Sequence, residues 1–420
     1  MELYNDIFII DSEKYDKIIY SPLKGAIFAA NHKAAAIVKK YALGKALTNS
    51  ELDSSVYSYL KQIEDSPTRQ IHECSEIIGD NLTVILTQKC NLACSYCYAQ
   101  NQRSSENLDE HKLKMAIDYY IERNINHQNK RIVFIGGGEP TIAWNTFVWA
   151  VEYVTNTYKE SGVFLSLITN GTLLTSEKLY FLKQHVVNVV FSFEILPIIQ
   201  NSQRSMLDGA PSFNLIDQHI REANEIGVNI TGIRSTITDL NVKLMKDMVL
   251  YVAHNYPYIK HLNFEPVTSN ANTRSFYDTY IDNFFSSRKI ADSYGIKVYN
   301  SISISINTLK DRFCQREFCI TPSGDITSCH RISSYKEALF KDFKIGYVTE
   351  HALCLEKQKI NSILSLKQPM KQCSTCYAKY HCAGGCVSER LKITKEQKDL
   401  KCDFTRSIIL KLFEEKVKFK

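Results

Sequence analysis

A chain of 420 residues with 44% hydrophobic residues is long enough for two or three domains and can bury a large core, which excludes a disordered protein. No apolar run approaches the roughly 18 residues of a membrane span. The first residues, Met1 to Asp6, are polar and acidic rather than signal-like. The reading is therefore cytoplasmic and membrane-free, a compartment in which cysteines stay reduced. There are 13 cysteines; three lie at 90–97 and nine between 314 and 402, which points to metal ligation rather than disulfides. The segment from Lys371 to Lys420 holds 12 basic and 6 acidic residues. It reads as a solvated helical tail, with a docking surface for an acidic partner as the alternative. Aromatic and basic residues are not interleaved, so nucleic acid is excluded as a partner.

Residues 1–75 precede any cysteine pair. Ile7–Ile10 and Lys17–Tyr20 read as short strands. Asn31 is a good N-cap for a helix through Ala42 that carries Ala34, Ile37, Val38 and Tyr41 on one face. Residues 51–62 form a second helix candidate. From Leu82 the pattern changes. Leu82–Thr87 is an apolar strand, and strands recur at Arg131–Ile135, Val163–Thr169, Val187–Phe193, Val228–Thr236 and Lys260–Pro266, with helical stretches between them, one of them around Leu108–Arg123. Six strands alternating with helices imply parallel strands with crossover helices, an α/β fold and a partial (β/α)6 barrel. Sites in such sheets lie at the carboxyl ends of the strands. After about residue 305 the alternation stops and a loop-rich, cysteine-rich segment begins, whose order depends on bound metal.

The first strand runs into Thr87-Gln-Lys-Cys90-Asn-Leu-Ala-Cys94-Ser-Tyr-Cys97. The CX3CX2C spacing lets one loop wrap one cluster. Three thiolates leave one iron of a four-iron cluster open to a ligand; a zinc site or three unrelated core cysteines is the alternative. This motif resembles the radical S-adenosylmethionine (SAM) superfamily. The resemblance implies Cys90, Cys94 and Cys97 as ligands of a cluster whose open iron is chelated by SAM, which is cleaved to a 5′-deoxyadenosyl radical. It also implies Tyr96 against the adenine. Gly136, Gly137, Gly138, Glu139 and Pro140 end the second strand, where the family binds the SAM amino group; a simple turn is the alternative. Asn170 at the third strand end and Ser192 at the fourth resemble ribose or carboxylate contacts. Arg234 at the fifth resembles the family's carboxylate-binding arginine, with a surface salt bridge as its rival. Glu265 ends the sixth strand, facing the pocket or serving structure.

Cys314, nine residues, Gly324, four residues and Cys329 are followed by Cys373-X2-Cys376-X5-Cys382-X3-Cys386 and by Cys402. This resembles the SPASM domain, the auxiliary-cluster extension of radical SAM peptide enzymes; a zinc ribbon is the alternative. The resemblance implies Cys314, Cys319, Cys329 and Cys386 for one auxiliary cluster. Cys373, Cys376, Cys382 and Cys402 would hold a second. That makes three [4Fe-4S] clusters with SAM. Should Cys319 not be a ligand, the first auxiliary cluster keeps an open iron. Cys74 and Cys354 read as buried bystanders.

Residues 1–75 resemble the PqqD-like winged-helix unit that recognises precursor leaders, on the stretch Ser21 to Asn31; a structural appendage is the alternative. Ser192-Phe-Glu194 through Gln203-Arg204 and Asp208-Gly209 resemble the fourth-strand loop of the peptide-maturase branch, with Glu194 where many relatives carry Asp. The division expected is 1–75 precursor-recognition unit, 76–304 partial barrel and 305–420 SPASM domain. The function implied is crosslink formation, thioether or carbon–carbon, in a ribosomally made precursor peptide, close to the thioether- or cyclophane-forming maturases. A reductant protein such as flavodoxin or ferredoxin is implied as electron donor. Formylglycine formation, as in sulfatase maturases, is the second reading. Those enzymes carry an Asp after the cysteine of GX4C as proposed base, and here His330 stands there as the tentative catalytic residue. An iron–sulfur electron carrier without catalysis is the third reading, and Glu139 beside a complete CX3CX2C argues against it.

Overall fold

In the computed structural model, the described residues are 1–73, 79, 81–269, 271–314, 317–366 and 371–417. Cys74 lies outside them. The chain forms two compact units. One gathers Met1–Cys74, Ser301–Phe313 and Leu366–Lys420; the other gathers Ser75–Asn300 and Cys314–Ser365. Compactness thus groups residues 366–420 with the N-terminal segment, whereas the motifs divide the chain in three.

The first unit opens with four antiparallel strands in sequential order: β1 (Glu2–Tyr4), β2 (Ile7–Asp11), β3 (Lys17–Ser21) and β4 (Ala26–Ala30). Asn31 caps the helix His32–Ala42, its Oδ1 accepting from Ala34 N–H at 2.9 Å. Alternation in β2 and β3 turns Ile9 and Ile19 toward Val38 and Leu60 of the helices, and these form one core cluster. The second expected helix is split in two: Thr48 and Ser54 each cap a new start, giving Asn49–Leu52 and Ser55–Asp65. Far along the chain, the helix Lys395–Lys416 returns to this sheet. Tyr20 meets Phe413 with ring centroids 4.4 Å apart, a contact worth about 0.5–1.5 kcal/mol beyond the area it buries. Ser12 Oγ donates to Glu414 Oε1 at 2.5 Å.

The second unit is built on an eleven-stranded sheet. Its centre is the expected run: β5 (Asn81–Val84), β6 (Lys130–Phe134), β7 (Val163–Thr169), β8 (Asn188–Ser192), β9 (Ile230–Ile237) and β10 (His261–Pro266). Each is parallel to the next. Helices cross over between them, including Glu110–Arg123, Trp144–Thr157 and Phe213–Ile226, and burial alternates along the strands, with Ile132, Phe134, Leu165, Leu167, Val189 and Phe191 in the core and Phe164 exposed. A further parallel strand, β11 (Lys297–Tyr299), extends one edge. On the other side β12 (Phe318–Ile320) pairs parallel with β5 and leads into the antiparallel β13 (Asp325–Thr327), β14 (Lys344–Val348) and β15 (Leu353–Leu355). Cys354 sits half-buried in β15 opposite Tyr347.

Two glycines set local geometry. A bulge between β8 and β9 makes Val189 face Ile230 and Val190 face Gly232, so Thr231 is the extra residue. Gly232 has φ of 158°, and a Cβ there would lie 2.7 Å from the His261 carbonyl. Beyond the bulge Arg234, not Ile233, stands opposite Ser192. Gly138 packs flat on the cysteine loop: a Cβ there would lie 1.9 Å from the Lys89 carbonyl oxygen. Among the described residues no helix is long and apolar enough to cross a membrane.

Candidate active site

At the carboxyl ends of the parallel strands lies a cavity of about 230 Å3, open to solvent. Its wall brings together Cys90, Cys94 and Cys97, Tyr96, Gly137 and Gly138, Glu139, Asn170, Ser192, Arg234 and His330. These residues come from six separate segments of the chain. Glu265 also lines it, as do Arg103, Arg204, Thr268 and Arg331, to which the sequence reading gave no role.

Glu139 is buried and is the hub of the strand ends. Its Oε1 accepts from Thr141 N–H at 3.1 Å and from the hydroxyls of Thr141 and Thr169, both at 2.6 Å. Its Oε2 accepts from Asn170 N–H at 2.7 Å. Asn170 continues the chain of contacts: its Nδ2 donates to Asn91 Oδ1 at 3.0 Å, inside the cysteine loop. The expected ammonium acceptor is therefore also a structural tie. A carboxylate oxygen has two lone pairs, and Oε2 uses one of them here.

A second buried network stands behind the cysteines. Glu194 is fully buried. It accepts from the Tyr96 hydroxyl, from the Ser235 hydroxyl and from Thr236 N–H at 3.0 Å. Arg204 Nη1 donates to the Tyr96 hydroxyl at 2.8 Å and lies 3.8 Å from Glu194 Oε1. Burial pushes the Glu194 carboxyl up, against Arg204, Ser235 and Tyr96, which pull it down. The carboxylate is aimed by a tight turn at Ile195, which has φ of 68° and a bond from Leu196 N–H to the Glu194 carbonyl at 2.7 Å. A buried, β-branched residue in that conformation is strained, and the network holds it there.

The thiols are set among cations. Arg103 Nη2 donates to Cys97 Sγ at 3.3 Å. Burial pushes the Cys94 thiol up, while the nearby Arg204 pulls it down. Cys90 is likewise raised by burial. On the opposite wall His330 Nδ1 pairs with Glu317, whose Oε1 also accepts from His330 N–H at 3.2 Å. Burial works to raise the Glu317 carboxyl, but the charge and hydrogen bonds of His330 outweigh it, so the carboxyl is held below its ordinary value.

Of the other cysteines, Cys319 is fully buried in β12, and its thiol is raised well above the ordinary value by burial, with Glu317 and Cys329 acting the same way. Cys314, Cys319 and Cys329 belong to the unit of the parallel sheet; Cys386 belongs to the other and precedes the short helix Val387–Arg390. Cys373, Cys376, Cys382 and Cys402 all lie in the first unit. Burial pushes the Cys382 thiol up to about 12, and Cys402, Cys376 and Cys373 add to the rise, which marks the four as neighbours. Among the described residues no three His, Cys, Asp or Glu side chains form a ready site for a single metal ion. A four-iron cluster is itself several ångströms across, so its ligands stand farther apart than those of one ion. The cysteine loop fits such a group: three thiols on one cavity, a flat glycine floor, and a guanidinium already bonded to sulfur.

An α/β sheet with three cysteines of one loop and a buried glutamate at its carboxyl edge is the arrangement that the resemblance to the radical SAM superfamily implies. Residues 84–252 match the family model of the Radical SAM superfamily, so this stretch is a radical SAM domain and the protein an enzyme. It is similar to the serine-type anaerobic sulfatase-maturating enzyme of Klebsiella aerogenes, 24% identical over 328 residues, 71% of this chain and 76% of that one. Among solved structures it is similar to anSMEcpe with bound AdoMet, with a TM-score of 0.65 at 17% identity, covering 80% of this chain and 94% of that one. It is also similar to Streptococcus suis SuiB bound to its precursor peptide SuiA, with a TM-score of 0.55 at 13% identity, covering 95% of this chain and 98% of that one. These structural likenesses show the fold.

Proposed function

We propose that this chain is a peptide maturase that installs a thioether or carbon–carbon crosslink in a ribosomally made precursor. Cys90, Cys94 and Cys97 would hold the cluster that binds SAM. Two further [4Fe-4S] clusters would sit on Cys314, Cys319, Cys329 and Cys386 and on Cys373, Cys376, Cys382 and Cys402. When bound and reduced, cluster and SAM supply a carbon radical that takes hydrogen from the substrate. The protein's own part is orientation. Glu139 Oε2 keeps a lone pair for an ammonium, and Gly137 and Gly138 keep side chains out of its way. Arg234 suits a carboxylate through two parallel N–H bonds, with Ser192 opposite it in the sheet. Tyr96 is braced by Glu194 and Arg204 to face the adenine. The division into 1–75, 76–304 and 305–420 is part of this proposal, as is an electron-donor protein such as flavodoxin or ferredoxin.

The observation that carries the peptide substrate is the extent of the fold likeness. The likeness to SuiB with a precursor peptide bound spans 95% of this chain, against 80% for anSMEcpe. In the N-terminal unit β4 is an edge of its sheet, and an edge accepts an added peptide strand. Co-expression with the small peptide encoded beside it should remove two hydrogens per link, with fragmentation suppressed between the joined residues in tandem mass spectra. An aldehyde on a single Ser or Cys, trapped by a hydrazine, sinks this reading.

That outcome is the second reading, formylglycine formation. It is favoured by the likeness to sulfatase-maturating enzymes and by His330 on the cavity wall, with Nδ1 held by Glu317. This arrangement leaves Nε2 to take a proton.

A further inference from the structure

Arg103 lies six residues beyond Cys97 and turns back to it. The bond from Nη2 to Cys97 Sγ, 3.3 Å long, is supported by a clamped backbone. The Arg103 carbonyl accepts from Lys336 Nζ at 3.0 Å. The next N–H, of Ser104, donates to Gln88 Oε1 at 2.7 Å, and Gln88 Nε2 donates to the Ser333 carbonyl at 3.0 Å. Two segments more than 200 residues apart in sequence thus fix where this guanidinium sits. The Nε of Arg103 is buried and has no hydrogen-bond partner among the described residues. The other guanidinium beside the cysteines differs: Arg204 faces Glu194 and donates a hydrogen bond to the Tyr96 hydroxyl, so its charge is balanced within the protein.

We propose that Arg103 is a positioning residue for the SAM-binding cluster, whose N–H bond to Cys97 sulfur raises the cluster's reduction potential. A cluster held by three thiolates is anionic, and reduction adds one more negative charge. A fixed cation with an N–H directed at a ligand sulfur stabilises the added electron more than the oxidised state. Arginine keeps its proton at any working pH, so the contribution is constant. The inference rests on the assignment of Cys90, Cys94 and Cys97 as ligands.

The test is a potentiometric titration of the anaerobically reconstituted full chain, followed by electron paramagnetic resonance. The signal that changes on adding SAM reports this cluster. Arg103→Gln should shift its midpoint to a more negative potential, with iron content and the response to SAM retained; Arg103→Lys should shift it less. An unchanged midpoint in both variants overturns the inference. So does loss of the cluster from both while the protein stays folded, because the residue then holds the cluster rather than tunes it. If the Gln variant alone loses its cluster, the Lys variant decides: a more negative midpoint supports the inference and an unchanged one overturns it. Cys97→Ala should abolish the SAM-responsive signal. Its persistence would overturn the ligand assignment itself, an outcome distinct from an unshifted Arg103 variant.

Discussion

Asn170 N–H donates to Glu139 Oε2 at 2.7 Å, joining the turn after β7 to the turn after β6. The same carboxylate holds the hydroxyls of Thr141 and Thr169. A residue implied as a cofactor contact is thus also what keeps two strand ends in register.

Glu139→Ala should therefore do two things. It leaves several buried donors without an acceptor, at about 1–3 kcal/mol each, so Tm should fall by several degrees. It should also abolish measurable SAM binding by calorimetry. Glu139→Gln keeps the shape and part of the acceptor set. It should recover most of the Tm loss while still binding SAM at least tenfold more weakly, because the charge facing the ammonium is gone. Equal SAM affinity in the Gln variant and the parent removes Glu139 from the cofactor site.

Iron content should separate the cysteine groups. The reconstituted chain should hold about 12 iron atoms, four per cluster. Cys94→Ala should lose about a third of them and all SAM cleavage. Cys382→Ala should lose a different third but still release 5′-deoxyadenosine. Because metal binding and folding are coupled, Cys382→Ala should also make residues 371–390 more sensitive to protease. Stoichiometric zinc in place of iron would sink both expectations.

Acid should weaken the first unit through His381. Its Nε2 lies 2.6 Å from the Tyr20 hydroxyl, and its Nδ1 lies 3.1 Å from the carbonyls of Ser305 and Thr308. Burial lowers its pKa to about 4, against the carbonyl bonds that raise it. The unfolded chain takes up a proton near pH 6.5 that the folded chain refuses, so the unfolded state binds more protons in this window. Stability is complete above about pH 6.5 and declines as pH falls toward 4, by up to about 3 kcal/mol. In parallel melts between pH 7 and 5, His381→Gln should show a shallower decline in Tm than the parent. An equal slope would mean that other groups carry the acid sensitivity.

Removing residues 1–75 should not be a clean excision. It strips Tyr20 from Phe413 and from His381, exposing apolar surface on the helix Lys395–Lys416. The truncated chain is expected to lose the iron bound at Cys373–Cys402 and to aggregate. A point variant on the sheet edge, Ile27→Pro in β4, should instead retain iron and SAM cleavage. It should reduce precursor binding measured by fluorescence polarisation, because proline removes the N–H that strand addition needs. Unreduced binding would make that edge irrelevant to recognition.

The six central strands were legible because short strand-like segments alternate with helical stretches, and most end beside a residue with a chemical reason to be there. β11, β12, β13 and β15 have three residues each, too few for any periodicity to show. The bulge that brings Arg234 opposite Ser192 left only a glycine as its trace. Glu139 stood out in the sequence as a strand-end carboxylate but not as the acceptor of four bonds, because its partners Thr169 and Asn170 lie about 30 residues away. Arg103 carried no signal, since an arginine six residues past a cysteine has no fixed direction until Gln88 and Lys336 pin its backbone. The pairing of the N-terminal sheet with the last helix was invisible for the same reason: nothing local in Tyr20 names Phe413.

That pairing has a consequence for how the molecule is made. Synthesis proceeds from the N-terminus, and domains fold as they emerge. The sheet unit from Ser75 to Ser365 is complete while the first unit still lacks its second half. Until Phe413 leaves the ribosome, the apolar face around Tyr20 has no cover and the thiols of Cys373, Cys376, Cys382 and Cys402 have no finished frame. The order of assembly is therefore built into the path of the chain. The central sheet and its cysteine loop come first. The N-terminal sheet and the helix Lys395–Lys416 close on each other later, so any group held by Cys373, Cys376, Cys382 and Cys402 would find its frame only after the central sheet has formed.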